Sequence, residues 1–410
     1  MAESTEVAAM PAAVRFLEFF DELGRVFVER SDLLRQIGLA LLAREHVLMT
    51  GPPGTAKSAM AAAVLGRIPD ERTGAPSLFA RQFTESTVQT DLIGPVDFKT
   101  LMQTGRTEHF TDEGMLGAVH AFLDEVLDGR DMLLRTTLNV LQERELKQGN
   151  VTKKGSIECA LMTTNRYLAE VLEGSRETLL AFVDRIAFIA FVPKGFAESS
   201  NFTRVLRSQV GGVRRPRLDA VLTIQDLDLL QAAVDDVYVP DEVCDTMGAL
   251  LELLEADLAA AARSDPAFLA TRYLSTRTAV RLGRVLRAAV IYRRITKGGP
   301  EEATFDDLHM LRYSLLLCGP PRESLANLLA RETDVRERRQ LSIMRTESNL
   351  FDGALARVAK TAQKARPRVD VAALEREVAQ IKVDPQPQKV LAAAEKLAKA
   401  ADAGGRGAQR

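Results

Sequence analysis

Apolar and polar positions change period several times along the chain, and each change marks an element. Val14, Leu17 and Phe20 recur at helical spacing, so residues 14–23 read as an amphipathic helix. Residues 31–43 open on Ser31-Asp32, a cap signal, and run helical to Ala43. His46-Val47-Leu48-Met49-Thr50 then reads as a short buried strand. Further strands are expected at 79–83, at 118–123, at 157–163 and at 186–192, where Pro193 closes the run. The run at 118–123 is nearly continuously apolar, as a strand buried on both faces should be. Helical patterns fill the gaps: the alanine-rich 59–65, 131–144 with Leu134, Leu138 and Leu141 on one face, and 178–185. The expected class is α/β, with a parallel sheet.

Two stretches alternate instead. Residues 96–100 and 106–110 flank a turn containing Gly105, and residues 145–147 and 151–153 flank Gln148-Gly149-Asn150. Both read as β-hairpins inserted into the core. Residues 195–217 are rich in Gly, Ser and Arg, ending Arg214-Arg215-Pro216-Arg217, and read as a linker. From 224 to 318 the pattern is helical throughout, with long Leu/Ala-rich segments at 241–261 and 276–295. Past 330 the chain becomes strongly charged, and helical patterns continue around Leu350, Leu355 and Val358 and again around Leu374, Val378 and Ile381. Asp384-Pro385-Gln386-Pro387 breaks the chain before an Ala/Lys helix at 389–401 and a Gly-rich end read as disordered.

Composition narrows the function. A length of 410 residues suits two to three domains, and 46% hydrophobic content suits a full core. A net charge of −2 argues against a dedicated nucleic-acid binder. Cys159, Cys244 and Cys318 lie far apart in apolar surroundings, without metal-ligand spacing, and read as reduced, buried thiols of a cytoplasmic protein. No stretch approaches the ~18 uninterrupted apolar residues of a membrane span, and residues 1–13 lack the order of a signal peptide.

The chemistry centres on Gly51-Pro52-Pro53-Gly54-Thr55-Ala56-Lys57-Ser58, between a strand and a helix. In that context glycines let backbone N–H groups approach phosphate oxygens, and the helix adds its positive end. Lys57 supplies a charge for the outer phosphates, and Ser58 a hydroxyl ligand for Mg²⁺. The usual pattern has Gly where Ala56 stands; Ala fits if that residue is already near-helical. The strand ending at Leu123 runs into Asp124-Glu125, where Asp124 would join the Mg²⁺ shell and Glu125 would deprotonate an attacking water. Taken alone, the pair also suits the cap of the next turn. Asn165, just past another strand end, either holds a water or the γ-phosphate or is a turn residue. Val28, in Val26–Arg30, either packs on a nucleotide base or belongs to a plain connector. His120 reads as a satisfied core histidine. Arg185 stands at a domain edge or in a salt bridge. Arg277 follows the cap residues Ser275-Thr276, and of Arg281, Arg284, Arg287, Arg293 and Arg294 after it most read as a solvated face and some as partners of acids across an interface.

In order and spacing, these landmarks resemble an AAA+ ATPase of the MoxR family, RavA-like branch, over roughly residues 25–318. The resemblance rests on Gly51–Ser58, Phe122-Leu123-Asp124-Glu125, Leu141-Gln142-Glu143-Arg144 ahead of a hairpin, Thr164-Asn165, Asp184-Arg185 and Ser275-Thr276-Arg277. It implies a P-loop αβα core with a parallel sheet (1–195), a linker (196–222), an all-helical lid (223–330) and a helical extension (331–410). It implies ATP and Mg²⁺, with Asn165 at the sensor-1 position, Arg185 as an arginine finger and Arg277 as the sensor-2 residue. It also implies a homo-oligomeric ring, expected to be a hexamer. Such a ring would act as a remodelling chaperone on a protein client alongside a partner with a von Willebrand factor A domain. Two other functions share this core: a magnesium-chelatase-like subunit, and a nucleic-acid motor, against which the charge argues.

Overall fold

The computed structural model describes residues 2–148, 151–174, 177–210, 217–271 and 276–365. Met1–Ala356 form one compact unit. Arg357–Arg410 form a second, whose described part is the end of the last helix. In order, the elements are α1 (Ala2–Val26), α2 (Ser31–Ala43), β1 (Val47–Thr50), α3 (Lys57–Leu65), β2 (Leu78–Gln82), α4 (Thr90–Ile93), α5 (Phe98–Thr104), β3 (His120–Asp124), α6 (Asp131–Glu143), β4 (Glu145–Gln148) and β5 (Val151–Lys154). Then follow β6 (Cys159–Thr163), α7 (Leu168–Glu173), α8 (Glu177–Arg185), β7 (Phe188–Phe191), α9 (Ser199–Val210), α10 (Ile224–Asp235), α11 (Asp241–Ser264), α12 (Thr276–Lys297), α13 (Arg312–Leu315), α14 (Arg322–Arg331) and α15 (Val335–Ala365).

Five strands form one parallel sheet in the order β2-β3-β6-β1-β7. Register places Leu48 level with both Met162 and Ile189, so the three share a face. That face buries against Leu134, Leu138 and Leu141 of α6 and Phe182 of α8, while α2 and α3 pack on strands β1, β3, β6 and β7. The strand ends coincide. Asp124 and Thr163 therefore emerge beside the loop after Thr50, on the carboxyl edge where parallel sheets hold ligands. His46 fixes the other end of β1: Nε2 bonds the Leu141 carbonyl at 2.9 Å, and Nδ1 accepts from Ala160 N at 3.1 Å.

Helices α1 and α2 pack against α10 and α12. Arg15 Nε donates to Asp226 Oδ2 at 2.8 Å, and Asp226 also closes a capping box with Thr223. The edge strand β7 is covered by the segment after α13: Phe191 N donates to the Cys318 carbonyl at 2.6 Å. The charged stretch past 330 packs on this same unit. In α15, Glu337 accepts from Lys194 N at 2.8 Å, Gln340 accepts from Ala169 N at 3.0 Å, and Glu347 accepts from Thr271 N at 2.6 Å and from Thr271 Oγ1 at 2.7 Å. All three are buried.

Several expectations are corrected. Residues 96–110 are not a hairpin: α5 occupies 98–104, and the two arms meet only at one bridge, Val96 with His109. Asp97 caps that helix by accepting from Thr100 N at 3.1 Å, and Gly105 ends it at φ 70°, signals stronger than the alternation around them. The second hairpin is present as β4–β5, with residues 149–150 outside the described residues. The linker stretch contains α9, and Glu29 holds the chain leading into it by accepting from Ala197 N at 2.7 Å and Glu198 N at 3.1 Å. Cys244 is exposed, unlike Cys159 and Cys318. His120 is a core residue but not a satisfied one: Nε2 has no partner, and burial lowers its pKa to about 4. Arg281 is buried and so leaves the solvated face, while Arg293 pairs with an acid, Asp307, at 2.6 Å, as expected of some of this group. Ser275, residues 211–216 and the elements expected beyond 365 lie outside the described residues. Among the described residues no helix is long and apolar enough to cross a membrane.

Candidate functional site

The loop leaving β1 turns at Gly51, whose φ is 131°. A Cβ there would lie 2.3 Å from the Val192 carbonyl oxygen, so only glycine fits. Thr55 Oγ1 donates to the Pro52 carbonyl at 3.0 Å and tightens the loop. Ala56 has φ 66° and ψ 23°, the left-handed region, which corrects the expectation of a near-helical residue. The usual glycine is therefore a conformational requirement that Ala56 meets under strain.

Lys57 begins α3 and is buried. Its Nζ donates to Gly51 O at 2.7 Å, to Pro52 O at 2.8 Å and to Asn165 Oδ1 at 3.0 Å. Burial lowers its pKa to about 8 against the pull of Glu125 and Asp124. Ser58 Oγ donates to Asp124 Oδ1 at 3.0 Å, and Thr163 Oγ1 donates to the same oxygen. Glu125 sits at φ 51°, which turns its carboxylate away from Asp124 toward Asn165. Asn165 N donates to Glu125 Oε2 at 3.0 Å and Asn165 Nδ2 donates to Oε1. Burial raises the Glu125 pKa, with Asp124 and Asp128 adding to the rise and Asn165 and Lys57 opposing it. A carboxylate made more basic beside a fixed amide suits proton abstraction from water. Pro53 to Ala59, Glu125 and Asn165 line one cavity of about 240 Å³.

Arg185 and Arg277 lie elsewhere. Arg185 Nε donates to Gln142 Oε1 at 3.1 Å, and Nη1 to the Ala181 carbonyl at 2.9 Å. Arg277 Nη1 pairs with Asp184 Oδ2 at 3.1 Å. Both line a cavity of about 550 Å³ with Arg44, Arg144, Arg281 and Arg284. Its lining shares no residue with the phosphate-loop cavity. Val28 is half-buried in the turn between α1 and α2, next to Glu29, which accepts from Ala197 N ahead of α9.

A family model described as the MoxR domain in the MoxR-vWA-beta-propeller ternary systems matches residues 14–232, more than half of the chain. The chain belongs to the MoxR family. Similar relatives of this MoxR protein include Chaperone MoxR1 of Mycobacterium tuberculosis, 27% identical over 225 residues, 55% of each chain. Another is the uncharacterized protein MJ0079 of Methanocaldococcus jannaschii, 27% identical over 219 residues, 53% of each. The chain thus spans about half the length of the curated relatives it matches. A crystal structure from Cytophaga hutchinsonii, provisionally assigned as an ATPase, superposes with a TM-score of 0.56 at 18% identity, covering 84% of this chain and 97% of that one. The likeness shows the fold alone, an α/β core followed by helical segments. Nothing in these matches singles out the RavA-like branch.

The donor set of this MoxR chain fits a magnesium nucleotide. Among the described residues no cluster of three or more His, Cys, Asp or Glu could hold a metal unaided. One hydroxyl and one carboxylate, Ser58 and Asp124, are the share of ligands a protein supplies when phosphate and water oxygens complete the shell. Thr163 was missed from sequence, since its link to Asp124 follows only from strand register. Arg44, Arg144, Arg281 and Arg284 were missed as a group because three separate segments bring them together.

Proposed function

We propose that this MoxR chain hydrolyses ATP at contacts between copies of a cytoplasmic ring, expected to be hexameric, and uses the cycle to remodel a protein partner. Lys57 and the α3 N-terminus bind the outer phosphates, and Ser58 and Asp124 hold Mg²⁺, which neutralises charge developing there. Asn165 keeps Glu125 oriented, and Glu125 takes the proton of the attacking water. Val28 packs on the base. Arg185 and Arg277 reach the triphosphate bound by the adjacent copy. A partner with a von Willebrand factor A domain accords with the systems in which the matching family model occurs. Nucleic acid is not the expected partner.

One observation supports this best: Lys57, Ser58, Glu125 and Asn165 share one cavity, while Arg185 and Arg277 share another. A complete site then needs two copies. Mixing Lys57→Ala with Arg185→Ala tests it. Each variant alone is expected to be nearly inactive, since an arginine finger contributes roughly 10³–10⁵ in rate in GTPases. The mixture is expected to recover activity, because some contacts pair an intact loop with an intact arginine. Absence of recovery would overturn the shared-site reading.

A further inference from the structure

Arg144 ends α6, and its backbone and side chain serve different parts of the molecule. Its φ is 51°, an uncommon conformation for a large side chain, and the turn leads straight into β4. The Arg144 carbonyl accepts from Gly155 N at 2.6 Å, closing the ribbon's base beyond the Glu145–Lys154 pair. The side chain points into the arginine cavity, where Nη2 donates to the Arg44 carbonyl at a long 3.4 Å. The ribbon also holds the α5 insert: Lys153 Nζ donates to the His109 carbonyl at 3.3 Å, and His109 Nδ1 bonds the Gly94 carbonyl at 2.8 Å. Arg144 therefore spans the cavity and the root of the β4–β5 ribbon, and the ribbon in turn touches the α5 insert through Lys153.

Resting on the reading that this cavity receives an adjacent copy's triphosphate, we propose that Arg144 is the positioning residue that relays that triphosphate's arrival to the β4–β5 ribbon. A phosphate oxygen offers a charge-assisted bond that outcompetes the long contact to Arg44. The guanidinium then shifts, and the left-handed turn that carries it shifts the ribbon's root, because Gly155 is bonded to the same residue.

Hydrogen exchange of the 145–154 amides tests this. It is measured in the Glu125→Gln protein with and without saturating MgATP, and again with Arg144→Gly added. Glycine favours the left-handed turn, so the side chain is removed without straining the backbone. The expected result is a nucleotide-dependent change of ribbon exchange in the parent and its loss in the double variant. Nucleotide-free exchange should be unaltered, and the melting temperature should not fall, since glycine relieves the left-handed strain. Arg144→Lys should restore part of the response. A response that survives Arg144→Gly overturns the proposal. So does a ribbon already unprotected without nucleotide, which would make Arg144 merely a structural prop. Recovery in the Lys57→Ala and Arg185→Ala mixture, together with a surviving response, would sink the role of Arg144 alone. No recovery and no response in the parent would sink both.

Discussion

Asp184 and Arg277 form an ion pair of 3.1 Å that ties the end of α8 to the start of α12. Arg281 adds to the tie, its guanidinium directed at the Asp184 carbonyl at 3.4 Å and 3.5 Å. Arg185, the next residue, is thereby placed by the helical segment as well as by its own helix. The Arg277 side chain is half exposed, so the pair contributes at most about 1 kcal/mol to stability. Its importance is geometric. Asp184→Asn is expected to lower kcat about tenfold or more with KM little changed, since small misplacements of a reacting group are costly. Steady-state ATPase assays check this, and an unchanged kcat would refute it.

Ala56 carries the left-handed strain that a glycine would avoid. Ala56→Gly should stabilise the protein by about 1 kcal/mol, offset in part by the freer unfolded chain. Denaturant unfolding of the two proteins measures the difference. A loss of stability would show that the turn is not strained.

Lys57 titrates near pH 8 because its ammonium is buried. A triphosphate favours the charged form, so binding draws a proton as pH rises through 8. The affinity for MgATP should be flat below about pH 7.5 and weaken above pH 8, by up to about tenfold per unit. Direct binding titrations between pH 6.5 and 9.5 decide, and a flat profile to pH 9.5 would contradict it.

Glu125→Gln keeps the loop, Lys57 and Asp124 intact and removes only the base. Turnover should fall at least about 10²-fold while ATP still binds. Robust hydrolysis by this variant would remove Glu125 from its assigned role.

Glu45 lies at the arginine cavity with its pKa raised to about 7 by burial, which Arg281, Arg284 and Arg144 oppose without overcoming. A carboxyl whose folded pKa exceeds its unfolded value of 4.5 contributes stability below the unfolded value, lost as pH rises toward 7. Glu45→Gln should therefore stabilise the protein by roughly 2 kcal/mol at pH 8 and leave it unchanged near pH 4.5. Melting curves at the two pH values test the sign.

Much of the core was legible because its signals are local. The apolar run ending in Asp124-Glu125 and the glycine loop before Lys57 each declare themselves within ten residues. Parallel strands then bring their carboxyl ends together without further instruction. The hairpin expected at 96–110 failed for a local reason as well: alternation was weighed above the Asp97 and Gly105 caps that enclose α5. The helix inside the expected linker was hidden because the residue that anchors the chain leading into it, Glu29, is remote in sequence.

By itself the sequence determined the α/β class, the parallel core strands along the chain, and the candidate residues for a phosphate and a magnesium ion. These follow from periodicity, turn chemistry and charge over short spans. Only the tertiary structure decided that Ala56 is left-handed, that Arg281 is buried, and that α15 straps the core through Glu337, Gln340 and Glu347. It alone set Arg185 and Arg277 in a cavity apart from Lys57. Those features depend on which distant segments exclude water from one another. Burial and cavity formation are properties of the packed chain, and no short window of residues encodes them.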